Sequence, residues 1–371
     1  MKKKRKRMLI IISCFLITAG IGLAFYAYRN MTYEQKTTKR IKEAQFKEKQ
    51  AHLPDGSILN YGEGPDKGEP LVLLHGQQVS WEDYAKVLGE LSQRYHIYAV
   101  DYYGHGGSSK DPAKYSAVAI GQDIAWFIDT VIQEPVLISG HSSGGLIAAW
   151  VAANEPDAVK GLLIEDAPFF STEKGRAEST FAWLGFKDMA DFLASKEVNF
   201  TRYSLEHSYM AELFGSQEIF DKLVKNPALR YMKKHPQTIP KIWYYPPELK
   251  INEIYTLTAN LQDGTGEYDL QFGLTFYDFS WFNGYNQEET LKNIQCPSVL
   301  LHAAKPANME DYYDDNGILL SAMDDEDAKR VDSLLRQNTF INHIKSGHDI
   351  HAEKPEVFIK AVDQLALLTA D

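Results

Sequence analysis

Sulfur crosslinks have little to work with in this chain, whose 371 residues include two cysteines, Cys14 and Cys296. Cys14 falls inside an apolar run, so the remainder holds one thiol and no disulfide of its own, and its stability has to come from a buried core. At this length and 44% hydrophobic residues, one large core with an inserted subdomain is within reach and disorder is excluded. Positive charge is also scarce once the first 28 residues are set aside. The rest carries 33 Lys and Arg against 50 Asp and Glu, a net −17, and so acidic a surface does not hold nucleic acid. Internal repeats and low-complexity tracts are absent as well, which sets aside repeat arrays. Long apolar runs are confined to one place.

That place is the start. Lys2, Lys3, Lys4, Arg5, Lys6 and Arg7 precede an uncharged apolar stretch from Met8 to Tyr28. Its 21 residues are enough to cross a hydrocarbon core, whereas the apolar part of a cleaved signal usually has about 7–15. The expectation is an uncleaved transmembrane anchor, 8–28, with the basic segment 1–7 in the cytoplasm and the bulk of the chain outside. Arg29, Lys36, Lys39, Arg40 and Lys42 on the far side reduce the charge asymmetry. Cleavage after Ala24 and lipidation at Cys14 are rival readings that fit less well, the second because so little apolar sequence precedes the cysteine. Residues 29–52, rich in Lys, Glu and Gln without a continuous apolar face, read as a solvated helical stalk.

Globular patterning begins near Leu53. Asp55-Gly56 reads as a hairpin turn, and Gly62, Gly64, Pro65 and Gly68 mark the next loop. Leu71 to Leu74 is a short, fully apolar run, as a strand buried on both faces of a parallel sheet would be. Helices are expected over 81–93, over 117–132 and after Ser142, with strands over 95–100, 135–139 and 159–164. This alternation predicts an α/β protein with a doubly wound, mostly parallel sheet. It lapses after Pro168 and resumes at Cys296, with strands over 296–301 and 340–344 and helices over 325–336 and 355–368. The stretch between reads mainly helical and contains twelve aromatics from Trp243 to Tyr285. The resulting division is a core in two parts, 53–168 and 295–371, around an inserted cap, 169–294.

Gly140-His141-Ser142-Ser143-Gly144 lies between the apolar run Pro135-Val136-Leu137-Ile138 and a helical stretch from Leu146 to Asn154. A turn this sharp between strand and helix needs glycine on both sides, and it strains the serine backbone. The strain holds the Ser142 hydroxyl out at the C-terminal edge of the sheet. There the Ser143 N–H points toward a developing oxyanion, and the helix N-terminus adds positive potential.

Three further motifs stand in order around that turn. His75-Gly76 directly follows the strand at Leu71, the loop Asp101 to Ser108 reads D-x-x-G-x-G-x-S, and Gly347 to Pro355 reads G-H-x-x-x-x-E-x-P. On these residues the chain resembles the α/β-hydrolase superfamily, in its serine-nucleophile, cap-bearing, esterase- and lipase-like form, with the cap inserted after the sixth strand. The resemblance implies Ser142 as nucleophile, His348 as the base that takes its proton, and the backbone amides of Gln77 and Ser143 as oxyanion donors. Gln77 stands where a Gly or an aromatic is frequent, which bears on substrate fit more than on a backbone donor.

The acid that orients His348 has two candidates. The family usually places it just after the seventh strand, yet Leu300 to Asn308 offers no Asp, and Asp311, Asp314 and Asp315 come later in a lengthened loop. Some relatives take it from the end of the sixth strand, where Asp166 stands. Asp166 is favoured and Asp315 is second, each also having a reading as a simple turn residue. His343 and His351 read as structural or solvated. His348-x-x-His351 lacks a third ligand at helical spacing, so no metal and no cofactor are expected.

Dehalogenases and epoxide hydrolases carry an Asp where this chain has Ser142, and proline iminopeptidases carry H-G-G-P-G where it reads His75-Gly76-Gln77-Gln78. The resemblance therefore implies an enzyme acting on a carboxylic ester or related small-molecule acyl substrate. Hydrolysis of a carbon–carbon bond or thioester on the same residues stays open, as does a non-catalytic ligand-binding protein of the same fold. The cap aromatics read equally as an apolar pocket and as packing. Oligomeric state is open too.

Overall fold

The computed structural model describes residues 2–236, 238–261, 267–305 and 309–370. Their contacts divide them into two units, one built from the residues up to Lys36 with Ala211–Ala259, the other from Thr37–Met210 and the chain from Asn260 onward.

The second unit is organised on eight strands: β1 (Lys47–His52), β2 (Ile58–Glu63), β3 (Glu69–Leu74), β4 (Tyr95–Asp101), β5 (Val136–His141), β6 (Val159–Glu165), β7 (Ser298–Ala303) and β8 (Asn338–Ile344). They form one sheet in the order β1-β2-β4-β3-β5-β6-β7-β8. β1 pairs antiparallel with β2, and β2 with β4, while every later pair is parallel. β5 is buried along its whole length, so it carries apolar residues on both faces. Successive side chains go to opposite sides. Val72, Leu74, Ile138, Leu162 and Leu300 join one core, which includes the inward residues of the helices Ala117–Phe127 and Ser143–Asn154. Leu71, Leu73, Leu137, Leu163 and Val299 join the other, with Phe358, Val362 and Leu365 of the helix Pro355–Leu368. Burying each such side chain contributes about 1.5–3 kcal/mol, so the doubly wound arrangement follows from the apolar strands themselves. The inserted segment leaves the sheet between β6 and β7.

Four expectations are altered. The stalk does not run to residue 52, because Lys47–His52 pairs with β2 as the edge of the sheet, and only Ala51 of that strand is buried. The helix expected over 81–93 is a 3₁₀ segment, Trp81–Lys86, followed by one turn, Leu88–Leu91, and the one over 117–132 ends in a π turn at Ile128–Ile132. The cap expected over 169–294 is shared, since Ala211–Ala259 groups with the N-terminal residues.

In that first unit a single helix, Lys2–Met31, contains the apolar stretch and is long and apolar enough to cross a membrane. Its C-terminal end bonds to the inserted segment: the Tyr26 hydroxyl donates to the Tyr244 carbonyl and the Asn30 amide to the Trp243 carbonyl. Glu34 accepts from Lys241 and Thr256. Asn252 braces the loop by accepting from Ile242 N–H and donating to its carbonyl.

Candidate active site

The turn after β5 is as tight as its glycines require. A Cβ on Gly140 would lie 2.1 Å from the Gly144 carbonyl oxygen, and one on Gly144 would lie 2.3 Å from that of Leu74, so neither position accepts a side chain. Ser142 takes φ 54° and ψ −125°, a conformation costing about 1–3 kcal/mol that the surrounding strand and helix enforce. Its N–H donates to the Glu165 carbonyl at 3.0 Å, tying the turn to β6. The Ser142 side chain stays half-open, while Ser143 is buried with its hydroxyl 2.8 Å from that of Tyr102.

Ser143 is the first residue of its helix, where an N–H has no intrahelical acceptor. Neither its N–H nor that of Gln77 has a hydrogen-bond acceptor among the described residues. The Gln77 side chain is held from the inserted segment, with Tyr268 donating to Oε1 at 2.8 Å. The loop Asp101 to Ser108 supports this edge: Asp101 accepts from Trp81 N–H at 2.7 Å, Asn60 Nδ2 at 2.8 Å and Gly107 N–H at 3.0 Å.

His348 follows β8 in a loop closed by Glu353, which accepts from Gly347 N–H at 2.7 Å. His348 Nδ1 lies 2.8 Å from Asp166 Oδ2. The other carboxylate oxygen of Asp166 accepts from Ala303 N–H and faces His302 Nδ1, each at 3.1 Å. Burial disfavours charge on Asp166, but the hydrogen bonds from His302 and His348 outweigh it and hold the carboxyl well below the usual range. Burial also disfavours a charged His348, yet the Asp166 hydrogen bond and charge, helped by Asp349 and Glu165, push the ring up to about 9. His348 Nε2 makes no hydrogen bond among the described residues, and the side chain is 39% exposed. No hydrogen bond joins it to Ser142. The ring of His141, immediately before Ser142, lies 4.5 Å between centres from that of His348 at a tilt of 49°, with Nε2 3.2 Å from the His348 carbonyl oxygen.

Asp166 and His348 are thus brought together. Asp315 is exposed, Asp311 is exposed with its carboxylate accepting from Tyr312 N–H, and Asp314 closes a turn by accepting from Asn316 and Ile318 N–H. Pro306, Ala307 and Asn308, in the loop after β7, lie outside the described residues. His343 is exposed. His351 is fully buried, its Nδ1 2.9 Å from Glu165 Oε1 and its Nε2 3.1 Å from Asp83 Oδ2. Burial opposes its charge, but Glu165 and Asp83 raise it well above the ordinary histidine value. Among the described residues, Asp83, His141 and His351 bring ligand-type atoms within 4.8 Å of one another, and an ion would find its donors there, not at His348 with His351. Three supporting residues escape a reading of the sequence: His302, His141 and Glu165. Their one signal is position: His141 and Glu165 end strands of the parallel sheet, and His302 is one residue short of the end of another.

A family model described as the alpha/beta hydrolase fold matches residues 69–355, and the chain belongs to that family. Among curated proteins it is 28% identical over 165 residues to a soluble epoxide hydrolase of Corynebacterium sp. (strain C12), covering 41% of this chain and 58% of that one. It is 36% identical over 114 residues to the pimeloyl-[acyl-carrier protein] methyl ester esterase of Chromobacterium violaceum, covering 30% and 41%. The matched part thus spans about half the length of these relatives. Among solved structures, a membrane phospholipase A superposes with a TM-score of 0.57 at 21% identity over 99% of both chains, a likeness of fold.

Proposed function

We propose that the chain is a membrane-anchored serine hydrolase that cleaves a carboxylic ester or related acyl substrate through an acyl-enzyme. The observation carrying this reading is the 2.8 Å bond from His348 Nδ1 to Asp166, which leaves Nε2 uncommitted beside the strained Ser142 turn. Asp166 fixes the ring tautomer and stabilises the imidazolium. His348 Nε2 takes the Ser142 proton as the oxygen attacks the carbonyl carbon, and the N–H groups of Gln77 and Ser143 hold the oxyanion. His348 then protonates the leaving alcohol and activates the water that releases the acid. The hydrogen bond between Ser142 and His348 forms with substrate in place, since such contacts are often loose in the free enzyme.

The test is labelling of the full chain by a fluorophosphonate. Wild type is expected to label and Ser142→Ala to lose all labelling; a variant that still labels would remove Ser142 as nucleophile. The helix Lys2–Met31 serves as the anchor, and the six basic residues at its start keep the N-terminus in the cytoplasm and the hydrolase domain outside. Protease added to intact cells is then expected to remove the domain, whereas full protection would reverse the orientation.

A further inference from the structure

Trp243 and Tyr244 belong to the unit that carries the N-terminal helix, and they are 45% and 43% exposed, with Ile239 and Leu249 exposed beside them. Adjacent large apolar side chains left open in this way mark a surface with a partner. The helix fixes where that surface lies. Asn30, fully buried, donates to the Trp243 carbonyl at 2.8 Å, the Tyr26 hydroxyl donates to the Tyr244 carbonyl at 3.1 Å, and Arg29 reaches Glu248 at 3.5 Å. Met8, the first apolar residue of the helix, precedes Tyr26 by a rise of about 27 Å at ~1.5 Å per residue. That is close to the hydrocarbon thickness of a bilayer, about 30 Å. A helix that spans from Met8 therefore leaves the hydrocarbon at Tyr26 to Asn30, and the carbonyls of Trp243 and Tyr244 are pinned at that level. Indole and phenol rings, apolar in body and polar at the tip, favour this headgroup boundary over both water and hydrocarbon.

We infer that the segment Ile239–Leu249 seats in the lipid interface, with the rings of Trp243 and Tyr244 among the headgroups around the emerging helix. The occupant of this apolar surface is the bilayer itself. The inference rests on the anchor reading above, and it adds a second, peripheral contact through the inserted segment.

No tryptophan precedes Trp81, so the anchor contributes no indole emission. The full chain is reconstituted in phosphatidylcholine–phosphatidylglycerol vesicles, and the emission of Trp243 is taken as wild type minus Trp243→Phe. Acyl-chain-brominated lipid is expected to lower that difference emission at least about twofold, while aqueous acrylamide quenches it little. Strong quenching by acrylamide with none by brominated lipid would overturn the inference. Protection from both would also overturn it, placing protein, such as a second copy of the chain, on the surface. Flotation of the same vesicles reads the anchor separately: protein that floats with Trp243 open to acrylamide refutes only the seating of the loop, and protein that does not float refutes the anchor as well.

Discussion

Glu165 and Asp166 are consecutive at the end of β6, and each takes a histidine from the segment after β8, His351 for Glu165 and His348 for Asp166. The Glu165 pair is sealed. His351 has both ring nitrogens committed to carboxylates and no exposed surface, so its proton has nowhere to go. The Asp166 pair is open on one side, with Nδ1 engaged, Nε2 uncommitted and 39% of the side chain exposed. On the proposed mechanism the same chemical pairing serves as a clamp in one place and as a proton carrier in the other, and the difference is one unoccupied nitrogen.

The sharpest way to break this contrast is to neutralise the open pair. Asp166→Asn is expected to lower ester turnover about 10³- to 10⁴-fold by releasing the His348 tautomer, whereas Asp315→Asn leaves it within about twofold. The reverse ranking would move the acid to the later loop. A pH profile sharpens the same point. Below its pKa His348 is an imidazolium and cannot accept the Ser142 proton, so kcat/KM is expected to rise with pH and level off near the raised value of about 9. In Asp166→Asn that limb should fall toward the ordinary histidine range near ~6.5. An unmoved limb would mean that another group sets it. The sealed pair should behave in the opposite manner. Glu165→Gln is expected to hold turnover within about tenfold but to cost about 3–5 kcal/mol of stability by stranding the buried His351 charge, read by denaturant unfolding. Lost turnover with unchanged stability would give Glu165 a part in the chemistry.

Most of the sheet was legible because its strands are apolar runs and its helices have marked ends. Pro355 opens the last helix where the sequence pattern places it, and it closes at Leu368 as expected. β1 was legible only as the arm ahead of the Asp55-Gly56 hairpin turn, since Lys47–His52 faces solvent along nearly all its length and shows no alternation. Ser142 and His348 came from short motifs, but Asp166 and Asp315 read alike as turn residues. What separates them is the neighbouring strand: β7 brings Ala303 N–H and His302 to one oxygen of Asp166 and leaves the other for His348. Strand adjacency is a property of the fold, and no local pattern encodes it. The same holds for Trp243 and Tyr244, which read as pocket or packing aromatics. Their partners, Tyr26 and Asn30, stand more than two hundred residues earlier.

The scarcity of sulfur has a practical outcome. Cys296 is largely shielded, and burial pushes its thiol up to about 11, so at neutral pH it is almost entirely in the unreactive protonated form. Cys14 sits apart from it, in the apolar stretch of the first helix. The Cys296 thiol is therefore expected to react slowly with maleimide reagents at neutral pH, and a dye directed to one introduced, exposed cysteine of the hydrolase domain is expected to report mainly from that position.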